Sequence, residues 1–250
     1  MTRLSVNVNK IATLRNTRTL GIPSLTRLSA LVLDSGAHGI TVHPRPDQRH
    51  IRHEDVEQVA AVVARYPNAE YNIEGNPFHG LIEHCQRVKP SQATLVPDAR
   101  EAFTSNHGWN LVELGAVERQ ALGRAIETLH ASGCRVSLFM DPIPEMMPIA
   151  RELGADRVEL YTEPYAAAAS SGAGAASIQT YAAAGKAARD QGMGVNAGHD
   201  LNLSNLRAFL RGGSGVDEVS IGHALIADAL EFGLPETVRR YLAECGGAPT

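Results

Sequence analysis

VNVNKIATLRN, at residues 6–16, is the stretch that decides between the two folds open to a chain of alternating strands and helices. It overlaps a short β-branched run that predicts the first strand. An open, doubly wound sheet that binds a dinucleotide carries a glycine-rich turn after its first strand, and this stretch contains no glycine. A closed barrel is therefore favoured over the open sheet.

Outward from this stretch, β-branched runs recur, and each is followed by a turn and by a segment with helical spacing of apolar residues. The predicted strands are Leu4–Val8, Gly39–Val42, Tyr71–Ile73, Gln92–Val96, Arg135–Phe139, Arg157–Leu160, Gly194–Asn196 and Glu218–Ile221. The predicted helices lie near 24–35, 54–65, 78–88, 117–132, 145–153, 175–191, 202–211 and 224–243. Because such units pair in parallel with right-handed crossovers, they predict a (β/α)8 TIM barrel with extra short helices.

The whole chain, residues 1–250, is predicted to form one barrel domain, since α/β barrels of this length are common as single units. The alanine-rich stretch AAAASSGAGAAS, residues 166–177, is the one candidate break. We interpret it as a loop that follows a strand and runs into a helix.

Composition excludes several classes of protein. Hydrophobic residues at 44% and charged residues at 20% are typical of a globular protein, and a net charge of −4 argues against nucleic-acid binding. The three cysteines form no CxxC pair, which predicts reduced thiols. The amino terminus has no apolar signal segment, and no run approaches the roughly 18 apolar residues that span a bilayer. We expect a cytoplasmic protein that binds no membrane.

Polar side chains end the predicted strands, at the barrel face where catalytic groups project. In chain order they are Asn7, Asn9, His43, Arg45, Glu74, Asp98, Asp141, Thr162, His199 and His223. Asp98 and Asp141 also suit ordinary turns. His43, Glu74, His199 and His223 suit turns poorly, and a shared rim would bring them into one cavity. Each has a structural alternative by itself, but together they predict a site for several proton transfers.

Cationic residues predict a phosphorylated ligand. TLRNTR supplies Arg15 and Arg18, and HPRPDQRH supplies Arg45, Arg49 and His50. For Arg49 we favour a solvated loop. The segments NAGHDLN and SIGHAL follow the last two strands, where glycine lets backbone N–H groups approach an anion at a helix start.

Two other kinds of site remain as alternatives. A metal-dependent hydrolase would use His199 and His223 together with an HxH pair on the first strand, and this chain has VNVN there, so no metal is expected. A Schiff-base aldolase would use Lys10 inside the barrel, although an exposed or phosphate-pairing lysine is the commoner arrangement.

Seven segments, in order over nearly the whole chain, resemble the pyridoxine 5′-phosphate synthase family. They are SVNVNKIATLRNTR, GITVHPRPDQRHI, YNIEGNP, TLVPDAREAFTSNHG, VSLFMDP, VNAGHDLN and IGHALI. The resemblance implies a barrel enzyme, commonly a homo-octamer, that uses no metal or organic cofactor. It condenses 1-deoxy-D-xylulose 5-phosphate with 3-amino-2-oxopropyl phosphate to pyridoxine 5′-phosphate, phosphate and water.

The resemblance also implies roles for individual residues. His43 would be a general acid/base, Glu74 a general base and His199 a proton donor. Residues that would hold the aminoketone phosphate or the product are Asn7, Arg18, Asp200, Gly222 and His223. Residues that would contact deoxyxylulose phosphate are Asn9, Lys10, Arg45, His50 and Thr104, with the loop Thr104–Gly108 closing over the site.

The first strand departs from the family pattern, which is usually VNxDH where this chain has VNVNK. Asn9 and Lys10 thus replace an acid and a switchable base. A phosphosugar aldolase or isomerase using Lys10, Glu74 and the rim histidines therefore stays an alternative, as does a non-catalytic barrel that binds a phosphometabolite.

Overall fold

A computed structural model, which describes residues 1–213 and 215–246, closes eight parallel strands into a barrel. Each strand pairs with the next, and the last pairs with the first. The strands are β1 (Arg3–Asn7), β2 (Gly39–Val42), β3 (Glu70–Gly75), β4 (Gln92–Leu95), β5 (Arg135–Met140), β6 (Arg157–Tyr161), β7 (Gly194–Gly198) and β8 (Glu218–Ile221). The predicted (β/α)8 barrel is confirmed.

Helices surround the barrel. They are α1 (Asn9–Asn16), α2 (Leu25–Asp34), α3 (His53–Val63), α4 (Ile82–Val88), α5 (Ala116–Ala131), α6 (Met147–Glu152), α7 (Glu163–Ser170), α8 (Gly174–Asp190), α9 (Leu206–Arg211), α10 (His223–Phe232) and α11 (Leu234–Glu244). A kinked turn, Pro77–Leu81, leads into α4, and a 3-10 turn, Pro144–Met146, leads into α6. None of the helices in the described ranges is long and apolar enough to cross a membrane.

The interpretation of residues 166–177 as a loop is wrong for its first half. Helix α7 runs through the alanines, because alanine has the highest helix propensity and a proline at Pro164 suits the first turn. Gly172, at φ 83°, separates α7 from α8. In the same way Gly233, at φ 78°, divides the helix predicted near 224–243 into α10 and α11.

Side chains that point into the barrel are largely polar, whereas those that point out are apolar and buried under the helices. Thr94 Oγ1 lies 3.0 Å from Asn72 Oδ1 and 3.4 Å from Glu159 Oε2, and Ser5 Oγ lies 2.7 Å from Thr41 Oγ1. The interior below the rim is thus a hydrogen-bonded polar layer.

Arg15 has a structural position, although the sequence suggested a phosphate ligand. It is buried on α1, and its guanidinium donates to Asp55 Oδ1 at 2.5 Å and to Oδ2 at 2.8 Å. Asp55 Oδ2 also accepts from the Arg52 N–H at 2.7 Å, which begins α3. The ion pair therefore ties the extra helix α1 to α3.

Replacing Asp55 with alanine should lower the free energy of unfolding by about 3–5 kcal/mol, because it leaves the Arg15 guanidinium buried without its counter-charge. Urea unfolding followed by circular dichroism would measure the loss. Asp190→Ala, which breaks an exposed pair with Lys186, is the control and should change stability little. Equal losses in the two variants would contradict the structural role.

Candidate active site

Four strands bring polar groups together around Glu74, near the carboxyl end of β3. The Asn7 Nδ2 atom lies 3.4 Å from Glu74 Oε2 and His43 Nδ1 lies 3.7 Å from the same oxygen. Ser220 Oγ donates to Glu74 Oε1 at 3.3 Å. Glu74 and His43 are both buried. The predicted convergence of His43 and Glu74 is therefore present, with Asn7 and Ser220 as further partners.

Burial changes the proton affinities of this pair in opposite senses. Desolvation, assisted by the charge of Asp98, raises the pKa of Glu74 to about 7, against the hydrogen bond from Ser220 and the Arg45 charge, which lower it. Desolvation, followed by the charges of Arg45 and His50, lowers the pKa of His43 well below its usual value. Near neutral pH, Glu74 can thus exchange a proton while His43 stays neutral.

The raised pKa of Glu74 has a consequence for stability. Between its unfolded value near 4.5 and the folded value of about 7, the folded state keeps a proton that the unfolded state has lost, so stability falls as pH rises through this window. Glu74→Gln removes the cost of burying an ionised carboxylate and should raise the free energy of unfolding at pH 8 by roughly 1–3 kcal/mol. At pH 4 the variant and the wild type should match. Urea titrations at both pH values test this, and a variant less stable at pH 8 would contradict it.

His199 lies in an aromatic setting just after β7. Its ring centroid is 5.3 Å from those of both Phe139 and Tyr161. The Thr162 hydroxyl lies 2.6 Å from the carbonyl oxygens of Gly198 and His199, which fixes this turn. His199 and Asp200 adopt φ values of 84° and 59°, a left-handed conformation that is uncommon for residues other than glycine. Burial lowers the pKa of His199, so a neutral imidazole faces the cavity.

Positive charge collects on the β2 side of the site. Burial, followed by the charges of Arg45, Lys10 and Arg49, lowers the pKa of His50 to about 4. The Ile51 N–H donates to His50 Nδ1 at 2.9 Å, so the remaining proton of the neutral ring is on Nε2. A neutral donor beside several cations is suited to a phosphate group.

Asn9 connects the end of β1 to His43. Its side-chain oxygen accepts from the His43 backbone N–H at 3.0 Å, and its own N–H donates to Asn7 Oδ1 at 3.0 Å. A carboxylate oxygen would accept the first of these bonds equally well, so asparagine keeps this part of the family pattern. Lys10 is exposed on the first turn of α1 rather than inside the barrel.

The remaining residues predicted to bind a ligand lie around this cluster without joining it by hydrogen bonds within the described chain. Arg18, Thr104, Asp200 and His223 are exposed. Gly222 precedes α10, and a Cβ there would lie 3.1 Å from the Asn7 Cβ, so a side chain at this position would push Asn7 away by a few tenths of an ångström. No side chain of residues 1–213 or 215–246 caps the start of α10, so its first N–H groups can meet an anion.

Two of the buried carboxylates that sequence reasoning missed interact with Glu74 through their charges. Asp98, interpreted as a turn former, is 4% exposed and pairs with Arg45 at 2.6 Å. Glu159 is 2% exposed inside the barrel, and burial and the charges of Glu74 and Glu218 raise its pKa well above the usual value. The strand sequence RVELY contained a signal for Glu159, because side chains alternate along a strand and Glu159 is at a position that points into the barrel.

Arg49 lies half-buried in the segment after β2, where it pairs with the exposed Asp47. Its guanidinium also donates to the carbonyl oxygens of Ala102 and Phe103. Within residues 1–213 and 215–246, no three His, Cys, Asp or Glu side chains are grouped in a way that could hold a metal ion.

Comparison with known proteins identifies the family. Residues 4–246 match the model of the family described as pyridoxal phosphate biosynthesis protein PdxJ. The chain is 53% identical over 246 residues to a pyridoxine 5′-phosphate synthase of Albidiferax ferrireducens, covering 96% of both chains. It is 50% identical over 241 residues to the enzyme of that name from Porphyromonas gingivalis, covering 96% of this chain and 98% of the other.

Solved structures show the same fold at low identity. A mutant tryptophan synthase α-subunit from Pyrococcus furiosus superposes with a TM-score of 0.62 at 12% identity, covering 97% of this chain and 98% of the other. A likeness at that identity concerns the barrel alone. Because the family model matches residues 4–246 and a named relative is 53% identical, the chain belongs to the PdxJ family.

Proposed function

We propose that the protein is a pyridoxine 5′-phosphate synthase, which condenses 1-deoxy-D-xylulose 5-phosphate with 3-amino-2-oxopropyl phosphate to pyridoxine 5′-phosphate, phosphate and water. Relatives about 50% identical carry this name. The observation that supports it most directly is the buried pair of Glu74 and His43, because ring closure needs a base that titrates near neutrality beside a neutral imidazole.

In the proposed mechanism the substrate supplies its own amine, which attacks the carbonyl group of its partner to form an imine with loss of water. Ionised Glu74 removes a proton from carbon, and His43 takes up and returns protons between oxygen and nitrogen. His199 protonates the group that leaves in a dehydration step. No metal or organic cofactor takes part. Closure of the loop Thr104–Gly108 would exclude bulk water and protect the imine.

We assign the two phosphates to opposite sides of Glu74. Arg45, Lys10 and the neutral ring of His50 would hold deoxyxylulose phosphate, since they form the cationic side of the cavity. Asn9 and Thr104 would contact the same substrate. On the β1–β8 side, the residues that would bind the aminoketone phosphate or the product are Asn7, Arg18, Asp200, Gly222 and His223.

We further infer that residues 1–250 form one domain, that the protein assembles as a homo-octamer and that it works in the cytoplasm. The assembly and the compartment rest on the family. Light scattering coupled to size-exclusion chromatography would measure the mass of the assembly, and a mass other than eight times that of the chain would contradict the octamer.

A direct assay tests the function. The purified protein is mixed with both substrates, and pyridoxine 5′-phosphate is followed by its absorbance with and without a chelator. We expect product at the same rate in both samples. Absence of product with both ligands bound would reject the synthase, and loss of product with the chelator would reject the metal-free mechanism.

Lys10 tests the aldolase alternative. Because the side chain is exposed at the start of α1, we expect Lys10→Met to raise the KM for deoxyxylulose phosphate about tenfold and to change kcat less than about threefold. Steady-state kinetics measures both constants. Borohydride should label no lysine in the presence of the ketose phosphate. Covalent labelling of Lys10, with loss of kcat in the variant, would instead support a Schiff-base enzyme.

A further inference from the structure

Asp98 joins three segments of the rim. Its Oδ2 atom accepts from the Arg45 guanidinium at 2.6 Å and from Ser105 Oγ at 2.7 Å. Its backbone oxygen accepts from Asn76 Nδ2 at 3.1 Å, just beyond the end of β3. The Asp98 carboxylate thus connects the segment after β2 with the loop after β4, and the Asp98 backbone is bound to the end of β3.

The loop of residues 99–108 is held from both sides. Arg45 and Arg49 each donate to the carbonyl oxygen of Ala102 at 3.1 Å, next to the contact between Asp98 and Ser105. At the other end, the Gly108 N–H donates to Asp141 Oδ1 at 3.1 Å. Gly108 lies so close to β5 that a Cβ would be 2.2 Å from the Asp141 nitrogen. The loop is therefore held by Asp141 at Gly108 and, at its other end, by the contacts of Asp98 and Arg45.

Arg45 keeps donors for a ligand while it makes these contacts. A guanidinium has five N–H groups, and the protein contacts described above use one on each of its two terminal nitrogens. Asp98 Oδ1, in turn, is buried and has no hydrogen-bond partner among the described residues. A buried carboxylate oxygen without a donor is costly, so this atom favours a bound ligand that can donate to it.

We propose that Asp98 is a positioning residue of this active site, which couples Arg45 to the loop 99–108 so that phosphate binding by Arg45 and closure of the loop occur together. The proposal rests on the proposed function for the identity of the ligand, deoxyxylulose phosphate. In this arrangement Asp98 does not take part in proton transfer. It orients Arg45, and through Ser105 it makes the position of the loop depend on that orientation.

Kinetics of Asp98→Asn and Ser105→Ala tests the coupling. The asparagine keeps the shape of the side chain but turns a donor toward Arg45, so we expect the KM for deoxyxylulose phosphate to rise at least tenfold and that for the aminoketone less than threefold. Ser105→Ala should raise the first KM about threefold. In the double variant the second substitution should add almost nothing, because both remove the same coupling.

Two further measurements separate this role from a general loss of structure. Since the Asp98 charge raises the pKa of Glu74, the acid limb of the kcat/KM profile should move to lower pH in Asp98→Asn and stay in place in Ser105→Ala. Equal increases in both KM values, an unmoved acid limb, or additive effects in the double variant would each overturn the proposal.

Trypsin provides a readout that does not depend on turnover, because Arg100 is exposed in the loop. Deoxyxylulose phosphate should slow cleavage at Arg100 in the wild type and leave the cleavage of Asp98→Asn unchanged. If the wild type makes no product yet shows this difference, the proposed function fails and the coupling stands. If the ligand protects both proteins equally, the coupling is wrong whatever the activity; should Asp98→Asn not fold, Ser105→Ala is compared in its place.

Discussion

Replacing Glu74 with glutamine is expected to lower kcat by about 10²–10⁴-fold while changing the KM of each substrate by less than about threefold. The amide has the shape of the carboxyl group and can still meet Ser220 and Asn7, so the cavity keeps its form. It cannot take a proton near neutral pH, which the carboxylate can because burial raises its pKa to about 7. Steady-state kinetics at saturating substrate measures the loss.

Glu70→Gln is the matched control, because Glu70 is on the same strand at the opposite end of the barrel and pairs with Arg135 and Arg3. We expect its kcat to stay within about threefold of the wild type. The wild type should also lose kcat/KM as pH falls below about 7, where Glu74 becomes protonated, and Glu74→Gln should show no such limb. Full turnover in Glu74→Gln would reject Glu74 as the base.

His199→Asn is expected to lower kcat by on the order of 10²-fold or more, because the imidazole is the proposed proton donor for dehydration. Asparagine suits the test because it tolerates the left-handed backbone found at φ 84°, where alanine would add strain to the loss of the ring. Because burial lowers the pKa of His199, the neutral ring would donate its N–H proton, and the loss of kcat should be the same across pH 7–9. Steady-state kinetics over that range would measure the loss.

His130→Asn provides the same chemical change outside the site, on α5, where the ring pairs with Asp156. Its kcat should match that of the wild type. A His199→Asn enzyme that keeps full kcat would assign the proton donor to another group, with His43 as a candidate in the cluster.

The barrel and the convergence of His43 with Glu74 could be predicted because both depend on local pattern. Strand boundaries agree with prediction to within two residues at each end, since alternating β-branched runs bury well in a closed sheet. His43 and Glu74 were predicted together because strand ends in a barrel face one cavity. The alanine-rich helix α7 was missed because low-complexity composition was weighted above helix propensity.

The partners of charged residues could not be predicted from local sequence pattern. Arg15 and Arg45 look alike in sequence, yet Arg15 is bound to Asp55 between two helices and Arg45 faces the cavity beside Asp98. Neither partner is near in sequence, so no local pattern distinguishes a structural arginine from one that can hold phosphate. Glu159 was overlooked for a similar reason, since its surroundings come from β3, β4 and β7.

The sequence by itself determined the order of strands and helices, the closed barrel, the family and the residue types at the strand ends, because these follow from periodicity and from motifs of contiguous residues. Only the tertiary structure decided which carboxylates are buried, which cations are already paired and how Asp98 joins Arg45 to Ser105. Burial and charge pairing depend on distances between residues far apart in the chain, and those distances exist only once the barrel has closed.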